Sequence, residues 1–390
     1  MIAAVGDSFT TTALVLALAA AVAFVAHRAR QPLIVAFIAV GIMVGPSALG
    51  WVNDSEPIEL FAEIGIAVLL FLVGLDTSIE EMTKVGPNAG RVAIIGVLLP
   101  FMLGLIAANL LIEDVAFHTS LFLGATLAAT SVGITAMVLS EMDMTQTEIA
   151  RIILGAAVFD DVLGLLMLAI VSGIVVTGSV DLLNITVIVV MATLFLAAAL
   201  YLGPHFIRLI VRLFRHLDLI EAKMFVSYLF VMILAWMANL SGLATIIGAF
   251  TAGLILHDAY FEKWNNDRKC PICIKDLIMP LEVVLVPIFF VLMGIQVKLE
   301  TFMEPGIIML ASGLIMAAIV GKVVSGFGAY GIKNKIAIGI GMMPRGEVGL
   351  IFASIGKSLG VLDDALFSAV VLMVVFTTLI APPLFKMSLK

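Results

Sequence analysis

The stretch EIARIILGAAVFDDVLGLLMLAIVSGIV, residues 148–175, is apolar along almost its whole length and carries Asp160 and Asp161 near its middle. It is long enough to cross the hydrocarbon core of a bilayer as one helix. A charge near the bilayer centre costs from about 3 to more than 10 kcal/mol, so acids at that depth are rare and usually mark an ion or proton path. Neighbouring helical residues point about 100° apart, so one carboxylate can meet a partner while the other faces a water-filled cavity.

The composition of the rest of the chain predicts the same environment. The chain has 390 residues, of which 62% are hydrophobic and 13% are charged, and its mean hydropathy is +1.21. These values are typical of an all-α polytopic membrane protein and not of a soluble one. The longest polar stretches, near 76–91, 204–223 and 257–276, are too short to bury a core, so we expect one transmembrane domain over residues 1–390 and no soluble domain. The first apolar stretch lacks a preceding basic region, so we expect no cleavable signal peptide.

Apolar segments of about 20 residues recur along the chain, and each is a candidate span. We predict thirteen transmembrane helices, near 8–27, 32–51, 57–76, 91–112, 117–140, 149–175, 184–203, 221–239, 242–257, 276–296, 305–330, 335–357 and 361–386.

The basic residues agree with thirteen spans. If the loops alternate between the two sides, 17 of the 21 Lys and Arg residues fall on one side, and only Lys298 and Lys357 fall on the other. Cytoplasmic loops carry the excess of Lys and Arg, which predicts an external N-terminus and a cytoplasmic C-terminus. Two basic residues remain inside the membrane, Lys322 and Arg345.

Two similar motifs indicate an internal repeat. AVLLFLVGLD (67–76) is similar to PIFFVLMGIQ (287–296). We expect two six-helix repeats, at about 8–175 and 221–386, joined by a linker helix at about 184–203, and therefore of opposite topology. Inverted repeats are a transporter architecture in which the binding site lies near the bilayer midplane, between interrupted helices.

Each predicted repeat contains one helix that is rich in interrupting residues. ATLAATSVGITAMV (125–138) includes Gly133 among several hydroxyl residues, and GIGMMPRGEVGLIF (339–352) includes Pro344. Non-helical backbone is tolerated at membrane depth only where it is buried or lines a water-filled cavity. Counting along each span places five polar residues near the midplane, where they could meet: Thr130, Asp160, Lys322, Arg345 and Glu347.

Four features taken together resemble one family. TSVGIT (130–135), FDD (159–161), Lys322 in an apolar helix and PRGEVGL (344–350) resemble the monovalent cation:proton antiporters, in the branch that holds NapA-like sodium/proton antiporters and Kef-type membrane domains. The resemblance implies thirteen helices in two bundles. One is a mobile core with two crossing broken helices, the other forms a dimer interface, and transport follows elevator-like alternating access.

The resemblance also implies residue roles. Asp161 would bind the cation and the proton, and Asp160 would pair with Lys322. Thr130 and Ser131 would line the site. Arg345 and Glu347 would hold the crossing of the broken helices.

The chain differs from Kef systems in two respects. It has Asp160 where they typically carry Gln, and it reaches Lys390 without a nucleotide-binding domain. We therefore expect a secondary antiporter that exchanges Na⁺ or Li⁺ for H⁺. Asp160 and Asp161 would bind the Na⁺, and exchange would be electrogenic because Lys322 adds a second titrating group. The alternatives are a K⁺/H⁺ antiporter and a Kef-like K⁺ efflux pathway.

Other expectations concern partners and location. We expect a homodimer in the plasma membrane, with no cofactor and no nucleic-acid partner. Enzymatic activity is not expected, because the polar groups at the midplane offer no convincing nucleophile and base or catalytic metal site. Cys270 and Cys273 have half of a zinc-site spacing, and whether they bind a ligand stays open. HFIRLIVRLFRH (205–216) is a basic amphipathic stretch, which we expect to lie along the cytoplasmic face.

Overall fold

The computed structural model describes residues 8–29, 33–76, 86–131, 135, 139, 144, 147–177, 182–214, 217–241, 243–264, 272–303 and 305–389. All regular secondary structure of these residues is helical. The α-helices are α1 (Ser8–Ala29), α2 (Leu33–Val44), α3 (Glu56–Asp76), α4 (Pro87–Leu111), α5 (Phe117–Thr126), α6 (Glu148–Thr177), α7 (Leu182–Leu213), α8 (Leu219–Leu240), α9 (Thr245–Ile255), α10 (Ile274–Ile295), α11 (Pro305–Ser325), α12 (Lys335–Gly341), α13 (Glu347–Ser358) and α14 (Asp364–Ser388). Short 3₁₀ helices span Asp258–Trp264, Leu299–Met303 and Gly326–Gly328.

The helices have the length and composition of membrane spans. Nine helices in the described part of the chain are long and apolar enough to cross a membrane, and α2, α9 and most of α13 are shorter apolar helices. Large apolar side chains such as Phe24, Leu110 and Trp236 lie on the outer surface, as expected where lipid replaces water. The predicted all-α membrane fold is confirmed. Each predicted segment contains a described helix, whereas the count of thirteen crossings stays a prediction.

The linker helix is longer than the sequence predicts. The sequence predicts a linker helix at about 184–203, but α7 runs from Leu182 to Leu213 without interruption and passes through Pro204. At 1.5 Å per residue its 32 residues extend about 48 Å. The helix therefore continues past the predicted end at about residue 203, because a helix can continue through a proline whose displaced hydrogen bond is satisfied elsewhere. The position of residues 205–216 along the cytoplasmic face stays a prediction.

The chain forms two compact units. Residues 1–55, 80–178 and 290–390 make up the first unit, and residues 56–79 and 179–289 make up the second. Ala93, Ile153 and Ile338 belong to one buried cluster of the first unit. Phe71 and Phe230 belong to the core of the second. Each unit contains segments from both predicted repeats.

Close glycine crossings occur in both units. In the first unit, a Cβ on Gly41 of α2 would lie 2.8 Å from the Cα of Gly294 in α10. In the second unit, a Cβ on Gly74 of α3 would lie 3.0 Å from the Cα of Gly253 in α9. Gly74 and Gly294 are equivalent positions of the two similar motifs. The motif therefore serves the same packing role twice, with glycine required because the two backbones touch.

Candidate functional site

The two acids of α6 lie inside the first compact unit. Only 1% of Asp160 and 7% of Asp161 is exposed. Both lie near the middle of a 30-residue helix, with apolar segments between them and each helix end. Burying ionised carboxylates is costly unless each finds a partner or a cation.

Asp160 has a partner in Lys322, which lies in the last turn of α11. Lys322 Nζ donates to Asp160 Oδ1 at 3.0 Å and lies 3.3 Å from Oδ2. Neither side chain is exposed. A Cβ on Gly96 of α4 would lie 3.6 Å from Lys322 Nζ, so a larger residue there would take up the space beside the ammonium. The structure thus brings together two residues that are 162 positions apart.

Both predicted interruptions are present where the structure describes them. After α5 ends at Thr126, residues 127–131 are not helical, and residues 342–346 separate α12 from α13. The two non-helical segments contact each other directly. Three donors of the first interrupted helix bind carbonyls of the second: Ser131 N to Pro344 O (2.8 Å), Thr130 Oγ1 to Met342 O (3.2 Å) and Thr135 Oγ1 to Gly341 O (2.7 Å).

Arg345 crosses from the second interruption to the first. Its side chain is fully buried. Nη1 donates to Leu127 O and to Ala129 O, the latter at 2.9 Å, and Nη2 donates to Ala318 O of α11 at 3.4 Å. The carbonyls of Leu127 and Ala129 lie in non-helical backbone without helical N–H partners, and the guanidinium supplies donors in their place.

The hydrogen bonds limit what can coordinate a cation. Carbonyls on both interruptions already accept hydrogen bonds, so the acids of α6 are the better candidate ligands. The Thr130 hydroxyl is also within hydrogen-bond reach of Asp160. It has one proton, so it can donate either to Asp160 or to Met342 O at any moment. Oxygen ligands of this kind suit a hard cation.

The formal charges of four buried groups balance. Asp160 and Asp161 can carry two negative charges, and Lys322 and Arg345 can carry two positive ones. A cation that binds between the acids adds positive charge to a site that is already neutral. Such a site favours release of a proton when the cation enters, since an uncompensated buried charge is costly.

Of the remaining predicted residues, the structure describes Ser131 and Cys273, whereas Gly133, Cys270 and the side chain of Glu347 lie outside the described part. Ser131 is 2% exposed, and a Cβ on Gly346 would lie 2.9 Å from its Oγ, so the glycine permits their close approach. Gly133 lies outside the described residues. Glu347 begins α13, but its side chain lies outside what the structure describes, as does all of Cys270. Cys273 is exposed.

Sequence reasoning missed several polar contacts. Thr135 and Thr378 bind carbonyls of the second interrupted helix. A signal for Thr378 was available, because VFTT (375–378) is similar to VFDD (158–161). Lys223, one of the 17 basic residues predicted on the cytoplasmic side, is 1% exposed and lies 2.5 Å from Asp258 in the second unit. Nothing in its local sequence indicates that ion pair.

Known proteins resemble this chain along almost its full length. A family profile described as "Sodium/hydrogen exchanger, transmembrane" matches residues 13–390. The chain is 39% identical over 342 residues to the high-affinity Na⁺/H⁺ antiporter NhaS3 of Synechocystis, covering 85% of this chain and 71% of that protein. It is 32% identical to the Na⁺/H⁺-K⁺ antiporter GerN of Bacillus cereus, covering 92% and 90%.

The fold has a solved counterpart. The structure of the sodium proton antiporter MjNhaP1 from Methanocaldococcus jannaschii superimposes with a TM-score of 0.74 over 98% of both chains, at 19% identity. That likeness confirms the antiporter-like fold, and the sequence matches confirm the predicted family resemblance. The chain therefore belongs to the sodium/hydrogen exchanger family of transmembrane proteins.

Proposed function

We propose that this protein is a secondary antiporter that exchanges Na⁺ for H⁺ across a membrane. The observation that carries the proposal is the fully buried Asp160–Lys322 ion pair, next to Asp161, in the same unit as the two interrupted helices. A buried site with two acids and one amine can bind either a cation or protons, and these are the two species that a cation/proton antiporter exchanges. Membership of the exchanger family supports the same reaction, as does the similarity to the Na⁺/H⁺ antiporter of Synechocystis.

In the proposed mechanism, Na⁺ and protons compete for the same groups. Asp161 alternately binds Na⁺ and a proton. Incoming Na⁺ also attracts Asp160 away from Lys322, and a desolvated ammonium that has lost its carboxylate is then able to release a proton. Thr130 and Ser131 contribute hydroxyl oxygens to the cation. Two protons released for each Na⁺ would make exchange electrogenic.

The interrupted helices would supply the moving part. Hydrogen bonds from Ser131, Thr130 and Arg345 join the two segments, so the crossing can shift as one body in an elevator-like step. Pro344 and Gly133 would keep the two segments out of helical conformation. Glu347 at the start of α13 would compensate the positive end of that helix.

Other features of the proposal concern the whole protein. One transmembrane domain built from two inverted repeats would form a homodimer in the plasma membrane, with the N-terminus outside. No cofactor and no enzymatic step are needed for the proposed exchange, in which only an ion and protons cross.

Potassium is the second candidate cation. The relative from Bacillus cereus is named a Na⁺/H⁺-K⁺ antiporter. Carboxylate and hydroxyl oxygens can accept either ion, so selectivity would depend on the size of the space between them. The same assay with K⁺ or Li⁺ in place of Na⁺ distinguishes the candidates.

The test uses purified protein in liposomes that contain a pH-sensitive dye. A Na⁺ gradient should drive proton movement in the opposite direction, with a rate that saturates as Na⁺ increases. A Na⁺ gradient that moves no protons would overturn the proposal. A cation flux that does not saturate and needs no counter-ion would instead identify a channel.

A further inference from the structure

The chain contains a second copy of the motif that holds the acid pair. Residues 158–161 of α6 read VFDD, and residues 375–378 of α14 read VFTT. The two copies lie roughly 220 positions apart, as do the motifs AVLLFLVGLD and PIFFVLMGIQ. In the proposed repeat, Thr377 and Thr378 correspond to Asp160 and Asp161.

The two threonines make different contacts, although neither is exposed. Thr377 Oγ1 lies 2.9 Å from Met373 O and 3.1 Å from Val374 O, both in its own helix. Thr378 Oγ1 instead donates to the backbone carbonyl of Arg345, in the second interruption. Only the second threonine connects α14 to another element through its hydroxyl.

This contact anchors the residue that holds the two interruptions together. The guanidinium of Arg345 donates to Leu127 O and Ala129 O, while its carbonyl accepts from Thr378. Arg345 O lies in non-helical backbone, and no N–H of the described residues donates to it. Loss of the Thr378 hydroxyl would leave that buried carbonyl without its hydrogen-bond donor. A buried carbonyl without a donor tends to move until it meets another donor.

Movement of Arg345 would reach the ion site by two routes. The guanidinium would shift relative to Leu127 and Ala129, which precede Thr130 in the same non-helical segment. The neighbouring Met342 carbonyl, which accepts from the Thr130 hydroxyl, would shift with its segment. The balance between donation from the Thr130 hydroxyl to Met342 O and donation to Asp160 would then change.

We propose that Thr378 is a positioning residue for ion exchange. It holds the second interruption at the place where Arg345 reaches the first. This inference rests on the proposed Na⁺/H⁺ exchange. Thr378 acts through Arg345 and need not touch the transported ion.

The test compares substitutions at the two threonines in liposomes, with rates divided by the amount of folded protein. Thr378→Val should raise the KM for Na⁺ by about tenfold, within the range expected for one orphaned buried carbonyl. Thr377→Val is the matched control and should keep the wild-type KM. Thr378→Ser keeps the hydroxyl and should also keep the wild-type KM, whereas Thr378→Cys, a much weaker donor, should raise it.

The outcomes separate three interpretations. Wild-type protein that moves no protons in response to Na⁺ would defeat the proposed exchange itself. Active wild type, together with an unchanged KM in Thr378→Val, would overturn the positioning role alone. A purely structural threonine would lower the yield or the melting temperature without changing the KM. If Thr378→Val does not fold, the Ser and Cys variants decide, and an equal KM in those two overturns the inference.

Discussion

At the scale of single residues, the main feature is a compensated acid pair in an apolar surrounding. Lys322 stabilises Asp160 only while both are charged, and neither side chain reaches solvent. Replacing one member of a buried ion pair usually costs more than the pair contributes, because the remaining charge is left without a partner. Function and stability are therefore coupled at this site.

Asp161→Asn should abolish Na⁺-driven proton movement while the protein stays folded. An amide can coordinate a cation weakly but cannot carry a proton at working pH. The measurement is the pH-dye signal in liposomes after Na⁺ is added. Asp114→Asn is a matched control, because Asp114 is exposed and its positive φ of 51° is one that asparagine also tolerates. If the Asp161→Asn variant exchanges Na⁺ and H⁺ as fast as the wild type, the proposed carrier role passes to Asp160.

Lys322→Gln should either lose exchange or exchange without net charge movement. It removes one titrating group in each cycle and leaves Asp160 without its ammonium. We expect a loss of about 3–5 kcal/mol in the free energy of unfolding, unless the orphaned acid takes up a proton. Transient current on a solid-supported membrane, recorded alongside the pH signal, checks the charge balance. Full exchange with a full Na⁺-driven current would make the lysine a structural counter-ion.

A double substitution separates the two roles of Lys322. In the variant with both Lys322→Gln and Asp160→Asn, no charge is left unpaired at these positions. Its loss of stability should be smaller than the sum of the two single losses, since residues in direct contact are not additive. Thermal unfolding in detergent measures this. Additive losses would indicate that the 3.0 Å contact contributes nothing to stability.

At the scale of helices, stability depends on backbones that approach closely. Gly41 and Gly294 meet in the first unit, and Gly74 and Gly253 meet in the second. Small residues at such crossings allow the packing on which membrane helices rely, since lipid supplies no hydrophobic drive between them. Any side chain at these four positions would push a helix away from its neighbour.

Gly294→Ala should lower stability by about 1–3 kcal/mol, the usual cost of overpacking. A Cβ there would meet the backbone of Ile38 and lie 2.8 Å from the Cα of Gly41. Gly306→Ala is the matched control, because a Cβ at Gly306 would have nothing within 4 Å. The measurement is the melting temperature of each variant in detergent. Equal melting temperatures for the two variants would contradict the close crossing.

Loops also contribute to fixing the helix ends. Ser47 Oγ donates to Glu300 Oε2 at 2.9 Å. A backbone hydrogen bond at Glu300, together with the Ser47 hydroxyl, holds the pKa of this carboxyl below its usual value. Asp364 pairs with Lys298 and, at 2.9 Å, with Lys357. The first contact connects the segment after α2 to the segment after α10, and the Asp364 pairs connect the start of α14 to the segment after α10 and to the end of α13. All of them lie within the first unit.

At the scale of the whole molecule, polar contacts as well as glycines support the proposed repeat. Asp76 ends α3 and lies 2.7 Å from Lys275 in the second unit. Gln296, its counterpart just after α10, donates to Asp54 at 2.6 Å in the first unit. If the repeats are inverted as proposed, these equivalent contacts lie on opposite sides of the membrane.

Cysteine labelling tests the proposed orientation. In a variant with Cys270 and Cys273 replaced by serine, a single cysteine at position 357 should react with an impermeant reagent from outside. A cysteine at position 386 should react only from inside. The reason is the excess of basic residues on one predicted side. Labelling of position 357 only from the cytoplasmic side would overturn the count of thirteen spans.

The sequence by itself determined the class of protein, the approximate spans and the places where two helices are interrupted. A run of about 20 hydrophobic residues identifies a membrane span. Glycine and proline indicate an interruption at their own positions, and a charged residue inside a span indicates a candidate site at its own position. Asp160, Asp161, Lys322, Pro344 and Arg345 could therefore be identified without coordinates. The family resemblance added roles for these residues, which remain proposals.

Only the tertiary structure decided which polar group meets which. Lys322 donates to Asp160 across 162 positions, and Arg345 reaches Ala129 across 216. The buried Lys223–Asp258 pair and the continuation of α7 past Pro204 were not predicted either. Such contacts depend on how helices cross and on which carbonyls an interruption frees. Hydropathy and spacing describe each segment alone, so they do not specify the partner that a freed carbonyl or a buried charge will find.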